Sequence, residues 1–542
     1  MKYHFLLLFL LFSFYALAQS PKFETRAVWL TTIGGIDWPH SYKSELQKEE
    51  LRHTLDLLQR GGVNTVLLQT RIRATTIFPS DIEPWDGCLS GTPSVSPGYD
   101  ALQFAIDECH KRGMQLHAWV VTIPVGKWNK TGCVQLRKKY PKLVRKIGDE
   151  GYLNPEQPAT TDYLVRCCKE IVQRYDVDGV HLDYIRYPET WPKAKNAAVR
   201  SERRSNITRI VRAIYQAVKE LKPWVMVSCA PIGKHDDLSR YRSNGWNAHS
   251  TVGQDAQQWL KEGIMDALFP MMYFRGNQFF PFAIDWQENS YGRLVVPGLG
   301  IYMLDPREGR WTLDEVKRQL NVTRQLGMGH CYFRSKFFTD NVKGIYDFGT
   351  FFDSTPSLVS PMTWMGASAP SSPTTITLVD GKLKWGGALD RSGAPYLLYN
   401  VYAADEYPVD ISQSENLIAT RLQTTSLQLP ANRIVGKNFA VTAVNRYGQE
   451  SDAVQLCQNP ASALMAKSAI IHSSGEPIEL PSKGSTLDAD FVVVETLTGQ
   501  TIDIFPYAKM LSVNSFPDGM YRLRSLHKKG RNHRIGYFIV KR

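Results

Sequence analysis

Residues 178–188 read Asp178-Gly179-Val180-His181-Leu182-Asp183-Tyr184-Ile185-Arg186-Tyr187-Pro188. Val177, Val180 and Leu182 are strand formers, and the run predicts a short β-strand ending at Asp183. Tyr184, Arg186, Tyr187 and Pro188 follow at once. An acid at the carboxyl end of a parallel strand, ringed by aromatics and a cation, is how sugar-cleaving barrels set a carboxyl against a glycosidic carbon. An isolated Asp there is more commonly a turn former. The weight therefore falls on the chain around it.

Outward from this stretch, strand and helix signals alternate. Strand-like runs lie at 27–30, 65–68, 115–120, 180–183, 225–229, 267–271, 294–297 and 330–333. Between them, sets such as Leu164, Cys167, Cys168, Ile171, Val172 and Tyr175, or Ile207, Ile210, Val211, Ile214, Val218 and Leu221, keep the helical period. Many units close on a glycine: Gly61-Gly62, Gly113, Gly263, Gly327. Eight such repeats predict an α/β fold, a (β/α)8 TIM barrel, rather than an open doubly wound sheet. The open sheet would want a glycine-rich phosphate turn after its first strand, and Thr31-Thr32-Ile33-Gly34-Gly35 is a poor one.

The 542 residues exceed one core, and two to four domains are expected. Lys2, an apolar run from Phe5 to Tyr15 and Ala16-Leu17-Ala18 read as an export leader over 1–18. The mature chain is then expected in the periplasm, at the cell surface or outside, with no transmembrane segment. The barrel is assigned 19–352. A Ser/Thr/Pro-rich linker at 353–370 precedes one or two small all-β sandwich domains, a first at 371–458 and a terminal β module at 459–542. The net charge of +12 favours an anionic partner, but Lys and Arg are dispersed. A glycan or a negatively charged cell envelope fits better than nucleic acid. The eight cysteines form no Cys-x-x-Cys pair and read as buried free thiols; scattered single histidines give no zinc pattern. No metal or organic cofactor is expected, and the sequence leaves the oligomeric state open.

The strand ends supply one rim. Trp29, Gln69, Arg71, His117, Trp119, His181, Tyr184, Tyr187, Tyr273 and Tyr302 are expected substrate contacts, because aromatic faces stack on pyranose rings while Arg, His and Gln bond hydroxyls. Inward aromatics also fill barrel layers, so the case rests on the set. Asp178 and Asp266, at strand starts, are read as structural. Glycoside hydrolysis normally uses a second carboxyl besides Asp183. Glu83 and Asp305 stand level for it, with Asp236 and Asp237 behind them.

Several stretches together resemble the glycosyl-hydrolase-like family 10 of bacterial envelope glycosidases. They are Arg26-Ala27-Val28-Trp29-Leu30-Thr31-Thr32 with Asp37-Trp38-Pro39, Gln69-Thr70-Arg71, His117-Ala118-Trp119, Leu153-Asn154-Pro155 and 178–184. The resemblance implies a glycosidase of a peptidoglycan-like or other polysaccharide. The strand-four run is also similar to that of α-amylase-type barrels, which makes Asp183 the candidate nucleophile. Trp385, Tyr399-Asn400-Val401-Tyr402 and 443–451 resemble a fibronectin type III domain, and 516–523 with the terminal strand resembles a secretion-type sorting module. Two other readings stand beside the enzyme: a glycan-binding protein on an inactivated barrel, and an adhesive or scaffolding protein.

Overall fold

The computed structural model describes residues 20–430, 433–458, 470–473, 477–480, 490–496, 501–508, 510–526 and 533–542. The leader read over 1–18 lies outside them. Eight parallel strands form a closed barrel: Arg26–Leu30, Thr65–Arg71, Gln115–Val121, Gly179–Asp183, Met226–Cys229, Ala267–Leu268, a split seventh, and His330–Tyr332. The seventh is broken into Leu294–Val295, paired with the sixth, and Gly298–Leu299, paired with the eighth. Pro297, which has no N–H to give a ladder, sits in the break. Pairing of Arg26 with His330 closes the ring.

Strand parity sorts the side chains. Ala27, Trp29, Leu67, Trp119, Val121, Met226, Phe269, Val296 and Cys331 fill the interior. Val28, Leu30, Val66, Leu68, Leu116, Val120, Val180 and Leu182 pack outward with the helices. Register then fixes depth. Gly179 pairs with His117, His181 with Trp119, and Asp183 with Val121, so Asp183 is the last inward residue of its strand. A Cβ on Gly179 would stand 2.6 Å from His117 Nδ1, so this position has no room for any side chain.

After strand three the chain leaves the barrel into a small antiparallel sheet of Pro124–Lys127, Val144–Ile147 and Glu150–Leu153. Helices Pro158–Arg174 and Ala197–Leu221 flank strand four. Proline in the first turn starts the former, and Asn196, whose side chain accepts from Val199 N–H, caps the latter. Seven of the eight cysteines are free and buried. Among the described residues no helix is long and apolar enough to cross a membrane.

The floor of the barrel, at the strands' amino ends, is closed by the next domain. This sandwich has a three-stranded sheet (Ile376–Val379, Lys382–Trp385, Ser426–Gln428) and a four-stranded one (Leu417–Leu422, Leu398–Ala404, Asn438–Val444, Val454–Leu456). Its Tyr447, with Met362, packs in one cluster with Ala27, Leu67, Met226 and Ala267. The stretch 353–370, read as a linker, is largely packed: Asp353, Ser357, Leu358, Val359 and Met362 are buried. Gly113 shows how close the two domains approach. It turns the chain into strand three at φ +70, and an added Cβ would lie 2.5 Å from the Thr420 carbonyl oxygen of the sandwich.

Charge pairs staple the same face. Asp178 Oδ2 accepts from Leu116 N–H (2.9 Å) and His110 Nε2 (2.8 Å), while Oδ1 accepts from Arg421 (2.6 Å) and Arg446 (3.3 Å) of the sandwich. Asp266 accepts from Val227 N–H (2.8 Å), Lys219 (2.7 Å) and Trp364 Nε1 (2.9 Å). Both acids are structural. The terminal region holds a five-stranded sheet including Phe491–Thr496, Gly519–Leu526 and His533–Val540, and Arg522 reaches Asp410 of the sandwich at 2.6 Å.

Candidate active site

Asp183 lies at the carboxyl-end mouth of the barrel and is 8% exposed. Its Oδ2 accepts from Trp119 Nε1 at 3.0 Å and its Oδ1 from its neighbour's N–H, that of Tyr184, at 2.7 Å. Strand three is pinned beside it, since Thr122 N–H and Oγ1 both donate to the Asp183 carbonyl (2.9 and 2.8 Å). Among the described residues no cation forms an ion pair with this carboxyl. Arg186 is near enough to act on its charge, but pairs instead with Glu189 at 2.5 Å. Burial raises the Asp183 pKa above the ordinary carboxyl value, outweighing Arg186 and the two N–H donors.

Tyr184 adopts φ +52, a conformation that costs a residue with a side chain ~1 kcal/mol or more and clusters at working sites. The turn places its ring at the rim, stacked on Arg186 at 4.3 Å. From strands six, seven and eight come Tyr273, Tyr302 and Phe333, all half-buried, with ring centroids 5.1–5.7 Å apart. Tyr273 packs on Gly300, where an added Cβ would stand 2.9 Å from its own. The Tyr273 hydroxyl is buried without a hydrogen-bond partner among the described residues. Its pKa stands well above the usual tyrosine value, first through burial and then through neighbours that include Asp183.

An inward, unpaired carboxyl ringed by aromatics offers one of the two carboxyls that glycoside hydrolysis ordinarily uses. Residues 24–302 match the family described as Glycosyl hydrolase-like 10. The chain belongs to that family. It is a glycosidase. A "Glycosyl hydrolase YngK" of Bacillus subtilis (strain 168) is 28% identical over 487 residues, 81% of this chain and 94% of that protein. A "Glycosyl hydrolase DigH" of Escherichia coli (strain K12) is 29% identical over 297 residues, 48% of this chain and 67% of that protein. Among solved structures, the glycoside hydrolase domain of PgaB (BpsB) from Bordetella bronchiseptica aligns with a TM-score of 0.42 at 12% identity, covering 60% of this chain and 99% of that one.

Within this glycosidase the residues expected at the rim separate by depth. Trp119, Tyr184, Tyr273 and Tyr302 stand with Asp183 at the mouth. Trp29, His117 and His181 lie in the layers beneath, each no more than 2% exposed. Trp29 Nε1 donates to His181 Nε2 (3.1 Å); an indole N–H only donates, so the proton of neutral His181 is on Nδ1, which bonds Ser228 Oγ (3.0 Å). Burial, with His117 adding to it, holds the His181 pKa well below its ordinary value. His181 is therefore uncharged and locked in the core.

Three more expected contacts are engaged elsewhere. Gln69 Oε1 accepts from the Thr32 and Ile33 N–H groups (3.0 and 2.8 Å) and shapes the loop after strand one. Tyr187 packs between the barrel and its helices, its hydroxyl accepting from Asn206 (3.2 Å). Arg71 forms a buried bidentate pair with Glu83 (2.6 and 2.8 Å) and also donates to the Val121 and Thr122 carbonyls.

The second-carboxyl candidates are likewise tied. Both oxygens of Glu83 are held by Arg71, and Tyr163 donates to Oε1 as well (2.5 Å). Glu83 lines a separate 460 Å³ cavity with Tyr140, Tyr163, Lys138 and Lys139. Asp305 is gripped by Arg307 through its side chain (2.8 and 3.1 Å) and its N–H (2.8 Å), and that grip lowers its pKa to about 2. A proton donor needs the opposite shift. Asp236 pairs with His249 and Ser250, and Asp237 with Ser243, out on the loop after strand five.

Sequence reasoning passed over Phe333, Glu189 and Trp246. Phe333 was read as the end of strand eight, though its position just beyond Tyr332 was the available signal. Asp37 pairs with Arg334 of the adjacent strand end and accepts from Thr31 N–H (2.9 Å). Trp246, 52% exposed on the loop after strand five, had no periodic context to mark it. Glu24, His330 and Asp353 are close enough together to hold an ion, but Arg26 and Arg324 already neutralise them in a buried network beneath the barrel.

Proposed function

We propose that this glycosidase is exported and cleaves O-glycosidic bonds of a peptidoglycan-like envelope polysaccharide, with Asp183 as its catalytic carboxyl. The observation that carries the reading is Asp183 itself, inward at the mouth, bonded by two N–H groups and free of any ion pair among the described residues. Trp119, Tyr184, Tyr273 and Tyr302 would contact sugar, with Phe333 completing the platform. The leader read at 1–18 and the charge of +12 favour an anionic envelope as the place of work. Residues 19–352 are the catalytic unit. Seven strands in a three- and a four-stranded sheet support a fibronectin type III-like reading of 371–458, and 459–542 is a terminal module that follows it.

Incubating the purified protein with peptidoglycan glycan strands, and separately with neutral plant polysaccharides, tests this by counting new reducing ends. The expected result is release from the glycan strands by the wild type and none by Asp183→Asn. An Asp183→Asn protein that cleaves normally removes the assignment.

A further inference from the structure

The carboxyls around the mouth leave one role unfilled. Glu83 is bound to Arg71, Asp305 to Arg307, Asp37 to Arg334 and Glu189 to Arg186, while Asp183 alone of these has no cation. Of the four, Glu189 acts on the Asp183 charge, and its partner Arg186 holds it at 2.5 Å. At the same mouth, close enough to feel the Asp183 charge, is a tyrosine hydroxyl, that of Tyr273, buried and without a partner among the described residues, on a ring fixed by Tyr302, Phe333 and Gly300. A buried donor left unmatched costs roughly 1 kcal/mol or more, and a carbonyl arriving with the substrate would remove that cost at Tyr273.

We propose that the attacking group comes from the substrate: the carbonyl oxygen of a 2-acetamido substituent on the cleaved sugar closes on C1 as Asp183 protonates the departing oxygen, and the Tyr273 hydroxyl orients that carbonyl. The proposal rests on the assignment of Asp183 made above and narrows the substrate to a glycan with 2-acetamido-2-deoxy sugar at the cleaved bond. Such substrate assistance is one of the known exceptions to the two-carboxylate scheme.

The step balances without any outside reagent. The Asp183 proton passes to the glycosidic oxygen, the C1–O bond breaks and the leaving sugar departs as an alcohol. The acetamido oxygen bonds to C1, giving a five-membered oxazolinium ring whose positive charge is shared between oxygen and nitrogen. Water then enters from the face the leaving group vacated, ionised Asp183 takes its proton, and the acetamido oxygen releases C1. Two displacements at one carbon give retained configuration. Asp183 must start protonated, and its buried, cation-free setting suits that.

The test uses the full-length protein and peptidoglycan glycan strands in three forms: native, chemically N-deacetylated, and N-deacetylated then N-trifluoroacetylated. The expected kcat falls at least about 100-fold on deacetylated strands, and about tenfold or more on trifluoroacetylated ones, whose carbonyl is a poorer nucleophile. Re-acetylation of the deacetylated strands restores it. Proton NMR of the first product shows retention. Tyr273→Phe lowers kcat about tenfold or more with KM little changed, and Glu189→Gln stays within about threefold of wild type. Inversion at C1 overturns the proposal. So does undiminished turnover of deacetylated strands, or a Glu189→Gln protein as inactive as Asp183→Asn. Any of these with Asp183→Asn still inactive removes only the acetamido step; an active Asp183→Asn removes the assignment of Asp183 as well.

Discussion

The two ends of the barrel are built on opposite plans. At the floor, the two buried acids at the strand starts are matched: Asp178 has two arginines and a histidine, and Asp266 has a lysine and an indole N–H. A whole sandwich domain is spent covering it. At the mouth, Asp183 is buried without a counter-ion among the described residues, the next residue is held at positive φ, and a tyrosine hydroxyl lacks a partner. Equal burial thus produces opposite titration. Burial works against ionisation at Asp178 too, but Arg421, His110 and Arg446 hold its pKa well below the usual value, while Asp183 is raised. Matched charge is concentrated at one end, and an unmatched carboxyl with a strained turn at the other, the pattern expected where a fold stores strain at a working site.

The sharpest way to break this contrast is Asp183→Asn. Turnover of glycan strands is expected to fall about 10³-fold or more, while circular dichroism stays that of the wild type. Next comes Arg446→Ala, which leaves the buried Asp178 and the partly exposed Asp176 short of a partner. It should cost ~3 kcal/mol in denaturant unfolding with kcat preserved, and equal stability would show that the floor pairs are ornamental.

A third test follows the sign of each acid. Asp178, with its lowered pKa, contributes stability that is present above the unfolded carboxyl value of about 3.9 and lost as pH falls through the folded one. Asp183, with a raised pKa, does the reverse, costing stability as pH climbs from that value through its folded one. Asp183→Asn should therefore melt higher than wild type at pH 7, with the gain fading by about pH 3. A gain independent of pH would sever the link to ionisation. The smallest effect is expected from Trp246→Ala at the outer rim: KM for long glycan strands rises roughly fivefold, kcat is unchanged, and stability is untouched.

Alternation of strand and helix was enough to read the barrel from sequence, and the position of Asp183 at a strand end followed from Val180 and Leu182. Depth was not readable. Trp29, His117 and His181 share parity with the mouth residues, and only their packing in the structure, which leaves each no more than 2% exposed, shows that they lie lower. Pairing across distance was equally hidden. Glu83 meets Arg71 through a long loop, and nothing linear couples them. At 353–370, where Ser, Thr and Pro suggest a linker, Met362 packs into the floor and Leu358 among Tyr402, Val409 and Leu417 of the sandwich, contacts that composition does not announce. The Pro297 break in strand seven was inside the expected run, yet its effect on pairing needed the neighbours.

Covering the floor with the sandwich also sets a direction. The domains after the barrel stack from the side opposite the mouth, with Arg446 and Arg421 as bolts into the barrel and Arg522 tying the terminal region to the sandwich. A surface that grips the carboxyl-terminal region would leave the cleft aimed outward from its anchorage, like a lamp on a bracket, so that reach and orientation are set by the same contacts that keep the barrel folded.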